Sequence, residues 1–510
     1  MKKQIIHRYF PAFFAPPRFR VRFLGIISLL IILAFPIAAQ DDVSKTAPSA
    51  SAAPSAPAAK SVEEQRLEIL RFGTETEIAK LIQTVKDEKV EYLDKELIEV
   101  ANNTKNRSIL AGIFSFFGET KKKGLEERAL RAIRERDDEA NETVLSAVDY
   151  LGWIGAEEAA ETLTDLINSG ENRFLNSSIR ALGRAVSGQK PGSPDEPRAP
   201  SGKSGDTALF LLDYYKNRSP SDENRREIIL ALGETGSKEP VEFLSDLVKN
   251  PDERMVLKMA ALESLSKIGD DRGVDAVIEA VSSSDPNVRA SAITALGRFS
   301  GEAADNAILE GFRDSYYRTR IGAAQAAGKR KLESAIPFLR FRAERDDVPT
   351  VKDEALKALG AINNSEAVSI LETFFLERKN ADRVRLVAAD MLVKNHADTY
   401  SSKIIIEMEE AKDKRMTPLY NGFIRLLSTA KSGNFEDFAR RLMSGGGVIE
   451  KSLALDLVLN NEFRGLAGEV RSLLDEKKHS AVISRKAKST LEKLGLASEE
   501  NQEETNKAAQ

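Results

Sequence analysis

The chain contains no cysteine. That excludes structural disulfides, thiolate zinc sites, cysteine nucleophiles, iron–sulfur clusters and lipid attachment through a thiol. Histidine is almost as scarce: His7, His396 and His479 are far apart in sequence, which leaves little for histidine-based metal or acid–base chemistry. Sustained β-branched alternation is missing, so strands are not expected. Aromatic residues make up only 6% of the chain, with one tryptophan. What remains is 510 residues, 42% hydrophobic and 30% charged, a balance that fits neither a disordered polymer nor a polytopic membrane protein.

The first 22 residues carry Lys2, Lys3, Arg8, Arg18, Arg20 and Arg22 and no acid, and an apolar run from Phe23 to Ala39 follows. Basic flank, apolar stretch and small-residue exit predict an export signal over residues 1–39, cleaved after Ala39 or retained as a membrane anchor through 23–39. The run is 17 residues long, against about 20 for a spanning helix. Removal of residues 1–39 leaves 69 basic against 79 acidic residues, a balance of −10, which makes nucleic acid an unsuitable partner. Residues 40–61 are rich in Ala, Pro and Ser and predict a flexible spacer, and residues 496–510 predict an acidic, disordered tail.

Between these ends the chain repeats itself. Segments of the type small-Leu-Gly recur, and their middle residues form twelve anchors: Phe117, Leu151, Leu182, Leu232, Leu265, Leu296, Ala327, Leu359, Leu392, Leu427, Leu457 and Leu491. Successive anchors lie 30 to 35 residues apart, except for one interval of 50. Each period holds two apolar patterns of helical spacing. In the clearest unit, Val274, Val277, Ile278 and Val281 mark one face of a first helix, Asp285 and Pro286 open a second, and Val288, Ala292, Ala295 and Leu296 continue it. A single pair cannot hide its apolar face, so the pairs must stack around a continuous core. The expected fold is all-α, a right-handed α-solenoid of about twelve helix pairs, with an N-terminal arm over 62–186 and a C-terminal arm over 207–495. The 50-residue interval holds an inserted Pro/Gly-rich loop, 187–206, read first as a plain solvated insertion, with a hinge between the two arms or a partner contact as the alternatives.

The stretch DPNVRASAITALG at 285–297 resembles the Asp-x-x-Val-Arg-x-x-Ala-x-x-Ala-Leu-Gly signature of HEAT-like repeats, the short variety also found in bilin lyases, and weaker copies stand at 347–360, 318–328 and 384–393. The resemblance implies first helices on a convex face, second helices on a concave face, and protein binding as the usual activity. Tetratricopeptide and ankyrin signatures are missing.

Seven residues before the anchors of six consecutive repeats lie Arg225, Lys258, Arg289, Arg320, Lys352 and Arg385, each with an acid three to six residues earlier. Equal positions stack in a solenoid, so these cations predict a line that either ties neighbouring turns together or offers a basic groove to an acidic partner. Aromatic pairs stand at Phe116–Phe117, Tyr214–Tyr215, Tyr316–Tyr317 and Phe374–Phe375; two consecutive helical residues are not expected to face the core together, so one tyrosine of the 316–317 pair is a candidate partner contact. Arg298 and Tyr317 complete the candidate partner-binding set, and Trp153 is expected to plug a junction between repeats.

No catalytic site, metal site or cofactor is expected. The His-Glu pairs that hold iron in HEAT-like hydroxylases are missing, because Ala397 follows His396 and Ser480 follows His479. Glu157–Glu158 and Glu409–Glu410 read as solvated helix faces, and Gly202-Lys203-Ser204 lacks the first glycine of a phosphate loop. The expected function is an exported, non-catalytic scaffold that holds envelope proteins on its concave face. The alternative is an accessory factor that binds an acidic ligand or assists an envelope enzyme through the basic column.

Overall fold

A computed structural model describes residues 61–496 apart from 89, 91 and 189–200. The expected signal or anchor, nearly all of the spacer, most of the inserted loop and nearly all of the acidic tail lie outside the described residues.

The described residues contain α-helices, short 3-10 turns and no strand. In the first arm α1 (Val62–Phe72) pairs with α2 (Glu75–Glu88), α3 (Asp94–Asn103) with α4 (Arg107–Glu119), α5 (Glu126–Arg134) with α6 (Asn141–Trp153), and α7 (Ala160–Asn168) with α8 (Asn172–Ala185). Beyond the insertion α9 (Ser204–Asn217) pairs with α10 (Asp222–Thr235), α11 (Val241–Lys249) with α12 (Met255–Ile268), α13 (Val274–Ala280) with α14 (Pro286–Leu296), α15 (Glu302–Gly311) with α16 (Tyr317–Arg330), and α17 (Ile336–Arg345) with α18 (Pro349–Ile362). The series ends with α19 (Ser365–Leu376), α20 (Asp382–Asp413), α21 (Thr417–Leu427), α22 (Glu436–Gly445), α23 (Val448–Asn460), α24 (Ala467–Ser472) and α25 (Ala481–Lys493).

The 32-residue α20 serves two pairs. Its first half is the second helix beside α19, and its second half is the first helix beside α21. His396, four residues after its anchor, stands where Gly236, Gly269, Lys331 and Asn363 carry the turn in other repeats, and within α20 it alone leaves helical geometry, at φ −142° and ψ 44°. Counted this way there are thirteen pairs among the described residues. The extra one is α1–α2, where Thr84-Val85-Lys86 carries no small-Leu-Gly signature although Val85 is fully buried.

Local chemistry places the helix ends. Asp285 accepts hydrogen bonds from the backbone N–H of Asn287 (2.8 Å) and Val288 (3.2 Å), and Pro286 sits in the first turn, where its missing N–H costs nothing. Ser61 and Glu64 form a reciprocal capping box at the start of α1. At the other end, Gly236 and Gly269 adopt φ of 68° and 67°, left-handed conformations that close α10 and α12.

Stacking is closest along the second helices. A Cβ on Gly152 would lie 2.8 Å from Ala181 Cα, one on Gly183 2.7 Å from the Ala231 carbonyl oxygen, and one on Gly328 3.0 Å from Ala358 Cα. At Gly152, Gly183, Gly233, Gly297 and Gly328 the glycine after the anchor thus abuts the small residue before the next anchor, whereas Gly360 meets Met391. Where Ser266 replaces the glycine, its hydroxyl donates to the Ala295 carbonyl at 3.4 Å. One buried cluster runs from Leu70 to Leu494.

Two expectations need correction. Phe116 and Phe117 are both fully buried, and so are Phe374 and Phe375 within a few per cent. A helix packed between neighbours on several sides has no solvent face at its centre, so consecutive residues can both be core. The loop expected over 187–206 also ends early, and the pairs flanking it are in contact. Across it α8 packs directly on α10, with Asn176 donating to Glu223 (3.2 Å) and Arg180 to Glu227 (3.4 Å). Helix α9 begins at Ser204, inside the stretch expected as loop; this buried hydroxyl donates to the Val186 carbonyl at 2.6 Å, while the Lys203 N–H donates to Glu157 at 3.1 Å. The ends of the insertion are pinned together, and Gly202-Lys203-Ser204 is part of that clasp.

Candidate functional site

The column seven residues before the anchors turns toward the loop between first and second helices. Arg289 donates Nε and Nη2 to the Asp314 carboxylate of the next repeat, at 2.7 and 3.0 Å, and Nη1 to the Ser283 and Ser284 carbonyls of its own loop, at 3.1 and 3.3 Å. Arg320 repeats the pattern with Asp346 (2.7 and 2.8 Å), adds Asp347 (3.0 Å), and caps the Asp314 and Ser315 carbonyls (both 3.1 Å). Arg225 joins Tyr215 and Glu253, at 2.8 and 2.9 Å. Arg385 joins the Phe375 carbonyl (3.0 Å) and Glu407 (2.5 Å), and Lys352 donates to the Glu344 carbonyl at 3.0 Å. Lys258 is half-buried.

The result is a ladder in which Arg225, Arg289, Arg320 and Arg385 each bind within their own repeat and clamp the next, while Lys352 holds its own repeat alone. Hydrogen bonds from Arg289 hold the Asp314 carboxyl below its ordinary range; for Asp346 burial pushes upward, but Arg320 outweighs it and the shift is again downward. Arg320 and Arg385 are 6% and 3% exposed. Removing one member of such a buried pair leaves an uncompensated charge, a cost of about 3–5 kcal/mol. These cations hold the stack together and present little surface.

The opposite side of the second helices carries a groove of about 890 Å³. Every lining residue comes from α10, α12, α14, α16 or the turn just beyond, so four successive pairs contribute and no first helix does. Relative to the anchors, Val256, Asn287 and Arg318 lie nine residues before; Arg226, Met259, Ala290 and Ile321 six before; Glu234, Lys267, Arg298 and Lys329 two after. Nine residues separate the ladder position from the last of these rows, and at 100° per residue that is half a turn of helix. The ladder and the groove are therefore back to back.

Five basic side chains line the groove against two acidic ones, Glu234 and Glu263. Lys267 lies between both carboxylates, at 2.8 and 2.6 Å; burial works against its charge, but the two acids outweigh it and keep the ammonium above its ordinary range. Arg318 is exposed and donates Nε to the Tyr317 hydroxyl at 3.2 Å. Val256 is 46% exposed and contributes apolar surface with Met259 and Ile321. A second hollow, of about 330 Å³, shares Arg226, Glu234, Glu263 and Lys267 and continues the groove toward Arg180 and Arg184 of α8.

Of the sequence candidates, Arg298 lines this groove. Tyr317 sits beside it at the start of α16, edge-on to Tyr316 with ring centres 5.4 Å apart, and Tyr316 donates its hydroxyl to Asn287 at 2.9 Å. Trp153 stands against Gly118 of the preceding pair, where a Cβ would collide with its ring. Lys267, Arg318 and Lys329 were not candidates. For Lys267 and Lys329 the signal is present as a basic residue two positions after three successive anchors, with Arg298 between them, and it emerges only when the helical phase is counted from the anchor; Arg318 stands nine residues before its anchor and shares no such series.

Among the described residues no group of three histidine or carboxylate side chains could hold a metal ion, and no helix is long and apolar enough to cross a membrane. The groove is open and crosses four successive second helices.

No curated protein matches the sequence. Among solved structures, Kap121p bound to Ste12p is 13% identical with a TM-score of 0.38, over 84% of this chain and 52% of that one. Kap121p bound to RanGTP is 12% identical with a TM-score of 0.35, over 85% and 50%. The chain thus spans about half the length of the Kap121p structures it matches. Human deoxyhypusine hydroxylase in complex with glycerol is 20% identical with a TM-score of 0.22, over 55% of this chain and 95% of that one. The family described as spirochaete HEAT repeat protein matches residues 70–490, and the chain, a HEAT-repeat solenoid, belongs to that family.

Proposed function

We propose that this chain is an exported, non-catalytic scaffold that holds a protein partner of the cell envelope in the groove of its second helices. One observation carries the reading: the groove crosses four successive pairs and is lined by second helices alone. Such a surface contacts an elongated partner at many points, with apolar patches for affinity and flanking charges for orientation. Export rests on the basic, acid-free residues 1–22 and the apolar run to Ala39. Kap121p structures in complex with Ste12p and with Nup53p share only the fold at this level of similarity, so the argument for protein binding is the groove itself.

A photoreactive residue in place of Gln325, exposed on α16 and in the groove lining, tests this in living cells. The expected result is a discrete adduct with an envelope protein, on a chain whose mature form begins at Gln40 or remains in the membrane fraction. Adducts confined to cytoplasmic proteins, or none from Gln325 while outer-helix positions give them, refute the proposal.

A further inference from the structure

We infer that the last three helix pairs dock on the surface of an anionic lipid bilayer, through an apolar row at the start of α21, α23 and α25 and the cations beside it. This surface lies beyond the groove and does not depend on what the groove holds.

The row is a repeat position that changes character. Nine residues before the anchor the earlier pairs carry mostly polar side chains, among them Glu142, Arg173, Asn287 and Arg383, whereas the last three carry Pro418, Val448 and Val482 in succession. Pro418 is exposed, and Val448 and Val482 are 54% and 58% exposed. Ile449 joins them. At its repeat position Leu257, Val288 and Val351 are core, yet Ile449 is 52% exposed. The turn before it, Ser444-Gly445-Gly446-Gly447, offers no large side chain to cover it. Equal positions on neighbouring helices lie about 8–10 Å apart, so these side chains form one edge. A contiguous apolar edge, unlike scattered single residues, marks a contact surface.

Charge fixes what is contacted. Arg415 in the turn before α21, Lys477 in the turn before α25 and Arg485 on α25 are exposed. Arg485 donates Nε to the Ala481 carbonyl of its own helix at 3.1 Å, and among the described residues none of the three is paired with a carboxylate. The acids nearby are partly engaged: Lys412 and Tyr420 hold Glu450, and Lys478 pairs with Asp475 at 3.2 Å. Asp413 and Glu476 are exposed and offset part of the charge. Over 412–418, 444–451 and 475–485 seven basic side chains still stand against four acidic ones, in a chain whose formal net charge is −4. A local excess of cations in an acidic molecule steers a negative surface to that place.

The arrangement favours a bilayer over a protein. Arg415, Lys477 and Arg485 share no repeat position, so a folded partner needs a carboxylate fitted to each of them. Anionic headgroups are mobile and gather wherever the cations stand, while the apolar side chains enter the headgroup boundary.

The cysteine-free chain lets one label report the contact. A polarity-sensitive fluorophore on V482C in the full chain is read with vesicles of phosphatidylcholine alone and of phosphatidylcholine with about one-third phosphatidylglycerol. The same label on K431C, exposed beyond the other end of α21, is the control and separates this contact from attachment through residues 1–39. With phosphatidylglycerol the label at 482 should shift to the blue and the label at 431 should not, and the shift should fade as salt rises. The R415E/K477E/R485E variant should need at least about tenfold more lipid for half the shift, with helical content unchanged by circular dichroism. K477E alone gives a milder loss and serves if the triple variant does not fold. No shift at 482, an equal shift at 431, an equal shift on phosphatidylcholine alone, or a shift untouched in the folded reversal variants overturns the inference. So does capture of a protein, in place of lipid, by a photoreactive residue at Ile449 in cells.

Discussion

One repeat position explains both how the sequence could be read and where that stopped. Seven residues before the anchor stand Arg225, Lys258, Arg289, Arg320, Lys352 and Arg385, and the HEAT-like signature is plain there. Beyond residue 400 the same position holds Tyr420, Glu450 and Ser484. Tyr420 donates to Glu450 at 2.7 Å, Lys412 pairs with Glu450 at 2.7 Å, and Ser484 caps the Leu473 carbonyl at 3.0 Å. The role survives with the charge inverted, so a motif search fails where the geometry continues. Burial pushes the Glu450 carboxyl up, but the Lys412 and Tyr420 hydrogen bonds outweigh it and hold it at about 2. A folded-state pKa below the unfolded one contributes stability that is complete above about pH 4.5 and lost as pH falls toward 2. In urea titrations E450Q should therefore be less stable than the parent at pH 6, by at most about 3 kcal/mol, and the gap should close near pH 2. A gap that stays constant with pH would mean the carboxylate is not part of the ladder.

At the level of elements, helix pairs and their period were legible because apolar spacing and small-Leu-Gly anchors are local signals. The first pair, α1–α2, was missed because it has the burial without the signature, and the merged α20 because a helix that skips its turn leaves no Gly or Pro to mark it. The fully buried pairs Phe116–Phe117 and Phe374–Phe375 depend on neighbours on several sides, which one helix's periodicity cannot report. Close seams make a direct prediction. A Cβ on Gly328 meets Ala358 Cα at 3.0 Å, so G328V forces two second helices apart. It should destabilise the protein by about 1–3 kcal/mol although it removes a poor helix former, seen as a lower urea midpoint. Gains from a better helix former without this loss would show the seam to be loose.

On the scale of the whole stack, residues 61–496, groove and ladder are two faces of one array in which equal repeat positions advance evenly. The candidate column was visible in sequence, but its direction was not: that depends on half a turn of helix, fixed only once the first helices occupy the other side. The cysteine-free chain allows spin labels to be placed in pairs without background. Double electron–electron resonance between cysteines replacing Arg184 and Lys267, two pairs apart across the insertion, and between cysteines replacing Lys267 and Lys394, four pairs apart, measures that advance. Narrow distributions centred near 16–20 Å and 32–40 Å, about 8–10 Å for each pair, are the predicted result; broad distributions, or an extra separation confined to the Arg184–Lys267 pair, would contradict a single continuous stack.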